Sequence, residues 1–310
     1  MKKQSFLKRL LTLYLPLIAI LLFILFPFYW TFITSVKPDT ELYGMVSYWP
    51  SVVQWDNYKE LFTTTVNFFN AMKNSFIAAG LTTILSLTAS TLAAYAFSSY
   101  RFAGRRFLMA LFLSNNMFPT VLLMIPLYTI MRNLGLLYTP WALVLAYTTF
   151  TLPFSVMLLN GFFDDLPVSL EEAAMVDGCD RRMAFTRIVL PIIGPSLVAT
   201  GVYIFMTSWN EYTFAVMFTN NASRTIPVAL KSLIGQLGVD WGLLTAGGII
   251  TIIPVCIMFF FAQKRLVEGL TVEEIVSKLG DINCGNKGTS CAKELAKAVS
   301  YEYEKSKQTI

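Results

Sequence analysis

Seven charged side chains fall between residues 171 and 187: Glu171, Glu172, Asp177, Asp180, Arg181, Arg182 and Arg187. Apolar sequence flanks them on both sides. Their types limit the chemistry available to them. The chain contains no histidine, which removes Ser-His nucleophile pairs and the HExxH zinc site. No GxxxxGK[ST] phosphate loop occurs, so any ATP-driven process must draw its energy from another polypeptide. Cys284 and Cys291 are separated by six residues, a spacing that fits no zinc pattern. No catalytic residue, metal or cofactor is therefore expected in this chain. What remains for the charged stretch is helix capping and ion pairing with a partner.

Its local signals predict two short helices. Ser169 followed by Glu172 has capping-box spacing, and Glu171 and Glu172 enrich the first turn in acid. Gly178 falls where a left-handed C-terminal cap belongs, and Asp180 is placed to cap a second helix running to Val189, before Pro191. A helix of about eight residues is not stable alone in water. Ala173 and Ala174 would present a flat, shallow surface with carboxylates at its rim, a fit for a partner's groove bearing arginines. The competing reading is that Glu172 satisfies its own helix end and the loop packs on neighbouring loops. Both stand at this point.

The elements around the loop follow from composition. The chain is 55% hydrophobic and 14% charged, whereas soluble domains carry about 25% charged residues. Uncharged runs cover residues 10–36, 74–100, 107–131, 133–163, 188–210 and 241–263. Each reaches the roughly 20 residues that cross a hydrocarbon core as a helix, and none alternates as a barrel strand does. The expected fold is an all-α membrane protein of six transmembrane helices. The first run is too long for a signal-peptide core and lacks a small-residue cleavage site, so it is expected to stay as a span. Loops on the N-terminal side hold twelve Lys and Arg against six on the other side, which predicts cytoplasmic termini and places the 171–187 stretch in the cytoplasm. The same bias accounts for the net charge of +5 without a nucleic-acid partner.

Polar residues inside the spans have two readings each. Ser75, Ala79, Thr83, Ser86, Ser90 and Ala94 line one face of the second span, suited to close helix packing and also to lining a path. Asn115 and Asn116, ahead of Pro119 and Pro126, need hydrogen-bond partners away from lipid, in a kinked bundle or along a pathway. Thr148, Thr149 and Thr151 accompany Pro153 in the fourth span. Trp209, Asn210 and Glu211 close the fifth, with Glu211 either functional or a wetted residue at a helix end.

The charged loop also carries a family resemblance. Glu172-Ala173-Ala174, three residues, Gly178, nine residues, Ile188, one residue and Leu190-Pro191 fill every fixed position of the EAA signature. The chain thus resembles the permease subunits of ABC importers. Trp209-Asn210-Glu211, Thr225-Ile226-Pro227-Val228 and Gly269-Leu270-Thr271 resemble the carbohydrate-uptake branch, of the maltose-permease G-subunit type, over roughly residues 10 to 271. The resemblance implies an importer-type (MetI-like) permease core over 74–271 whose EAA loop, 164–191, holds a coupling helix. It makes Glu171, Glu172, Ala173, Ala174, Asp177 and Gly178 the contact with a cytoplasmic ATPase, and Asn115, Asn116, Trp209, Asn210 and Glu211 candidates for the pathway. Implied partners are a second homologous permease, two ATPase subunits that bind ATP and magnesium, an extracytoplasmic solute-binding protein and membrane lipid. The implied setting is a bacterial plasma (inner) membrane, and the implied cargo a sugar or oligosaccharide, with a sugar-phosphate or glycerophosphate as the alternative. A self-sufficient secondary transporter would need intramembrane coupling groups or repeats, which are not evident. Residues 1–36 form the N-terminus and first span, 37–73 an aromatic-rich outer loop, and 272–310 a tail that departs from the family pattern.

Overall fold

A computed structural model of the chain describes residues 10–63, 67–167, 169–176, 178–235 and 238–267. The tail at 272–310, Gly269–Thr271 and Asp177 lie outside the described residues. Those described are helical, with one isolated β-bridge between Ile234 and Val239. They form two compact units, residues up to Ser75 with Thr219–Val255, and Phe76–Phe218 with the sequence from Cys256.

In the first unit, α1 (Leu15–Ser35) is apolar on every side and only 6% of its most apolar window is buried. Its chain end is tied down by polar contacts instead. Ser35 Oγ and the Tyr58 hydroxyl are 2.7 Å apart, and Asn57 Nδ2 donates to Ser35 O at 3.0 Å. Tyr58 belongs to α3 (Asp56–Thr63), while α2 (Asp39–Leu42) supplies Glu41, which accepts from Ser51 N at 3.1 Å and from the Ser51 hydroxyl. That hydroxyl, then the backbone N–H, holds the Glu41 carboxyl below its ordinary range. Asn74, in the first turns of α4 (Phe68–Ser99), donates to Ala222 O and Arg224 O at 3.0 and 3.1 Å. At Gly247, on α13 (Trp241–Val267), an added Cβ would lie 2.5 Å from Leu230 Cδ2 and 3.5 Å from Phe68 Cε2. Leu230 is on α12 (Ile226–Ser232), so the bare glycine sets how closely these helices pack.

The second unit is built around α7 (Pro140–Asp164), the apolar helix whose window is 56% buried. The small-residue face of α4 packs as one of the two sequence readings required. Ala79, Ser86, Ser90 and Ala94 are buried, Ser86 Oγ lies 2.8 Å from Thr151 Oγ1 of α7, and Leu87 approaches Gly201 of α10 (Gly194–Trp209). Two of the six expected spans are not single rods. α5 (Arg105–Met117) and α6 (Thr120–Asn133) meet at 102°, and α9 (Arg181–Ile192) meets α10 at 73°. The first break is local chemistry: Phe118 precedes Pro119 and is driven to the extended region, with ψ of 127°. Four helices are long and apolar enough to cross a membrane alone, and six spans result when each bent pair counts as one. The sequence runs had placed that boundary at Arg132, because charge spacing does not register a proline break. Between α7 and α9 lies the short α8 (Ser169–Val176), and α11 (Thr213–Phe218) follows α10.

Candidate functional site

The EAA loop folds from the signals its sequence carries. Gly178 adopts φ +91°, a conformation that costs other L-residues about 1–2 kcal/mol. Gly178 N donates to Met175 O and Cys179 N to Ala174 O, both at 3.1 Å. These two bonds form the Schellman pattern and satisfy the last carbonyls of α8. Asp180 then caps α9, its Oδ1 accepting from Met183 N at 2.6 Å. The Ser169–Glu172 capping box rests on Ser169, whose side chain lies outside the described residues.

Facing directions on α8 differ from those expected. Ala174 is 3% exposed and Ala173 half-buried, so the two alanines do not offer one open surface. Successive helical residues point about 100° apart, and positions three or four apart share a face. Glu171, Ala174 and Met175 turn inward, while Glu172 and Val176 stand exposed, Val176 at 77%. Val176 was not singled out by the sequence, although it lies four residues after Glu172.

Glu171 is held from two sides. The Tyr95 hydroxyl of α4 donates to its Oε1 at 2.5 Å, and Arg181 Nε of α9 lies 3.7 Å away. The Arg181 guanidinium in turn sits over the Tyr100 ring, 4.9 Å from its centre. Hydrogen bonds to a charged group contribute roughly 1.5–3 kcal/mol. Behind them Ala94, Leu159, Phe163, Val189 and Ile193 form a buried cluster against which Tyr95, Phe185 and Leu190 pack. The Ile188-x-Leu190-Pro191 end of the signature thereby anchors the loop in the core shared by α4, α7 and α9. A cavity of about 440 Å³ remains beside α8, among Tyr95, Ser98, Phe163, Leu170, Glu171 and Met175.

The five pathway candidates are not brought together. Asn115 lines a notch of about 410 Å³ with Leu111, Phe118, Thr149 and Pro153, which includes none of the other four. Its Nδ2 donates to Thr149 O at 3.0 Å. Pro153, four residues on, has no N–H to give that carbonyl, so Asn115 supplies the donor that the proline removed. Asn116 donates to Phe112 O of its own helix. Trp209 is 2% exposed among Phe76 and Phe205, with ring centroids 4.8 and 5.5 Å away. Asn210 bonds back to Met206 O at 2.9 Å, and Glu211 accepts from Phe214 N at 2.9 Å and Ala215 N at 3.1 Å, capping α11. Among the described residues no three His, Cys, Asp or Glu side chains gather to hold a metal ion.

Comparison with known proteins agrees with this architecture. The family model for the binding-protein-dependent transport system inner membrane component matches residues 86–272. A second model, the TSCPD domain, matches residues 259–303, from the last turns of α13 into the tail. The sulfoquinovosyl glycerol transport system permease protein SmoH of Agrobacterium fabrum is 36% identical over 250 residues, 80% of this chain and 87% of its own length. The trehalose/maltose transport system permease protein MalG of Thermococcus litoralis is 36% identical over 274 residues, 87% of this chain and 97% of its own. In three dimensions, a chain from the crystal structure of a bacterial ABC transporter that imports the acidic polysaccharide alginate aligns with a TM-score of 0.71. That alignment has 22% identity and covers 85% of this chain and 99% of the other.

Proposed function

We propose, from the premise that this chain belongs to the binding-protein-dependent transport system inner membrane components, that it forms half of a sugar-translocation path and is driven by a cytoplasmic ATPase seated on α8. The observation that carries the reading is the outward face of α8. A helix of eight residues is fixed by a Gly178 cap and a buried Ala174, and it leaves Glu172 and Val176 exposed side by side. An acid beside an apolar contact suits a groove with a basic rim.

In this reading the other half of the path is a second homologous permease, and two ATPase subunits bind ATP and magnesium. A solute-binding protein delivers cargo at the outer side of a bacterial plasma membrane, with both termini in the cytoplasm. The cargo is a sugar or oligosaccharide, in keeping with the glycosides in the names of the relatives. Movement of the motor is relayed as rigid-body rotation of helices.

Co-expression of this chain with its ATPase subunits tests the reading. Wild type should retain the ATPase through purification, and Glu172→Lys should release it while inserting normally in the membrane. Retention by Glu172→Lys at the wild-type level would remove α8 as the seat. Screening the cognate binding protein against sugars and glycerophosphates decides the cargo.

A further inference from the structure

We propose that Tyr95 is a positioning residue through which α8 moves α4, with Glu171 as the joint between them. The proposal rests on the permease reading above, and it assigns the two adjacent acids of the loop opposite tasks. Glu172 faces out toward the motor. Glu171 faces in, with its side chain 14% exposed, and takes the Tyr95 hydroxyl at 2.5 Å.

Three observations make this bond a transmission element. First, α8 is too short to hold its own position, so whatever it touches inside determines what it pushes. Secondly, the cavity of about 440 Å³ lies against α8, bordered by Tyr95 and Ser98 of α4 and by Leu170 and Met175. Packing alone leaves slack there, and a displaced α8 would move into open space instead of displacing α4. The Tyr95–Glu171 bond spans that slack. Thirdly, the bond is braced at both ends. The Tyr95 ring lies 4.4 Å from the Phe185 ring and 5.8 Å from that of Phe163, while Arg181 bridges Glu171 to Tyr100 just beyond α4. A hydrogen bond held this way transmits displacement in a direction that an apolar contact beside a void does not.

The test uses the complex of this chain with its ATPase subunits in lipid nanodiscs, comparing hydrogen–deuterium exchange without nucleotide and with ATP plus vanadate. In wild type, trapping should change exchange both in α8 (169–176) and at the end of α4 (92–100). Tyr95→Phe keeps the ring and loses only the hydroxyl. It should retain the ATPase and the α8 response, while the α4 response falls about fivefold or more. Glu171→Gln preserves an acceptor for the hydroxyl and should restore most of the α4 response, whereas Glu171→Ala should not. A residue serving stability alone would lower the melting temperature without separating the two responses. A full α4 response in Tyr95→Phe, with the ATPase still bound, overturns the proposal. Wild type that neither retains the ATPase nor responds in α8 instead overturns the permease reading on which it rests.

Discussion

In the turn after α10, both oxygens of Glu211 accept backbone N–H groups, from Phe214 at 2.9 Å and Ala215 at 3.1 Å. On α8 the Glu172 carboxylate is exposed, and the same helix spends its inner acid, Glu171, on Tyr95 and Arg181. Sequence hydropathy marks all three alike, as charge interrupting an apolar chain. The difference lies in what satisfies them. Glu211 closes a helix end and is complete within the chain. Glu171 joins three helices, and Glu172 leaves its acceptor capacity for something outside.

This contrast breaks first at Glu172. Charge reversal to Lys should weaken ATPase binding by about 30-fold or more, seen as loss of co-purification with no change in the melting temperature of the permease alone. Glu211→Ala should do the opposite: unfolding in detergent falls by about 2 kcal/mol or less as two N–H groups lose their acceptor, with ATPase binding intact. Equal loss of ATPase in both variants would erase the distinction. Gly178→Val lies between them, costing about 1–2 kcal/mol at φ +91° and lowering stability and docking together.

A smaller effect tests the same logic inside the membrane. Asn115→Ala strands the Thr149 carbonyl and should cost about 1 kcal/mol. In a Pro153→Ala background the restored N–H takes over, and the same substitution should be nearly neutral. Additive losses in that double-mutant cycle would refute the capping role. The smallest effect concerns Glu41. The Ser51 hydroxyl and N–H hold its folded pKa below the ordinary 4.5. The support this acid gives to residues 39–51 is therefore complete above about pH 4.5 and is lost as pH falls through the folded value. Fluorescence of Trp49 should shift over that acidic window in wild type and stay flat in Glu41→Gln.

Much of this was legible from residue order, for identifiable reasons. The Gly178 and Asp180 caps are local, set by residues three to five positions away, and both formed where the sequence put them. The small-residue face of α4 follows from helical periodicity, and its packing against α7 needs no further information. Partners distant in sequence were not legible. Nothing near Glu171 announces Tyr95, 76 residues away, and Ala174 becomes buried only when α8 lies on its neighbours. The Asn115–Thr149 bond left a partial trace, since a proline that frees a carbonyl calls for a donor on another helix. The sharp break at Pro119 was present as a proline, but its 102° angle depends on how α5 and α6 pack.

The π-helical turn at Phe185–Val189 gives the nine-residue spacer of the EAA signature a meaning beyond length. A π turn takes up one more residue than an α turn, so Ile188 and Val189, although adjacent, are both buried, at 3% and 6% exposure. The spacer therefore fixes a phase. Deleting one residue there would let the helix close into regular α geometry, with no break to reveal the change. The two ends would nevertheless be turned by about 100° relative to one another, and the capped loop would present a different face.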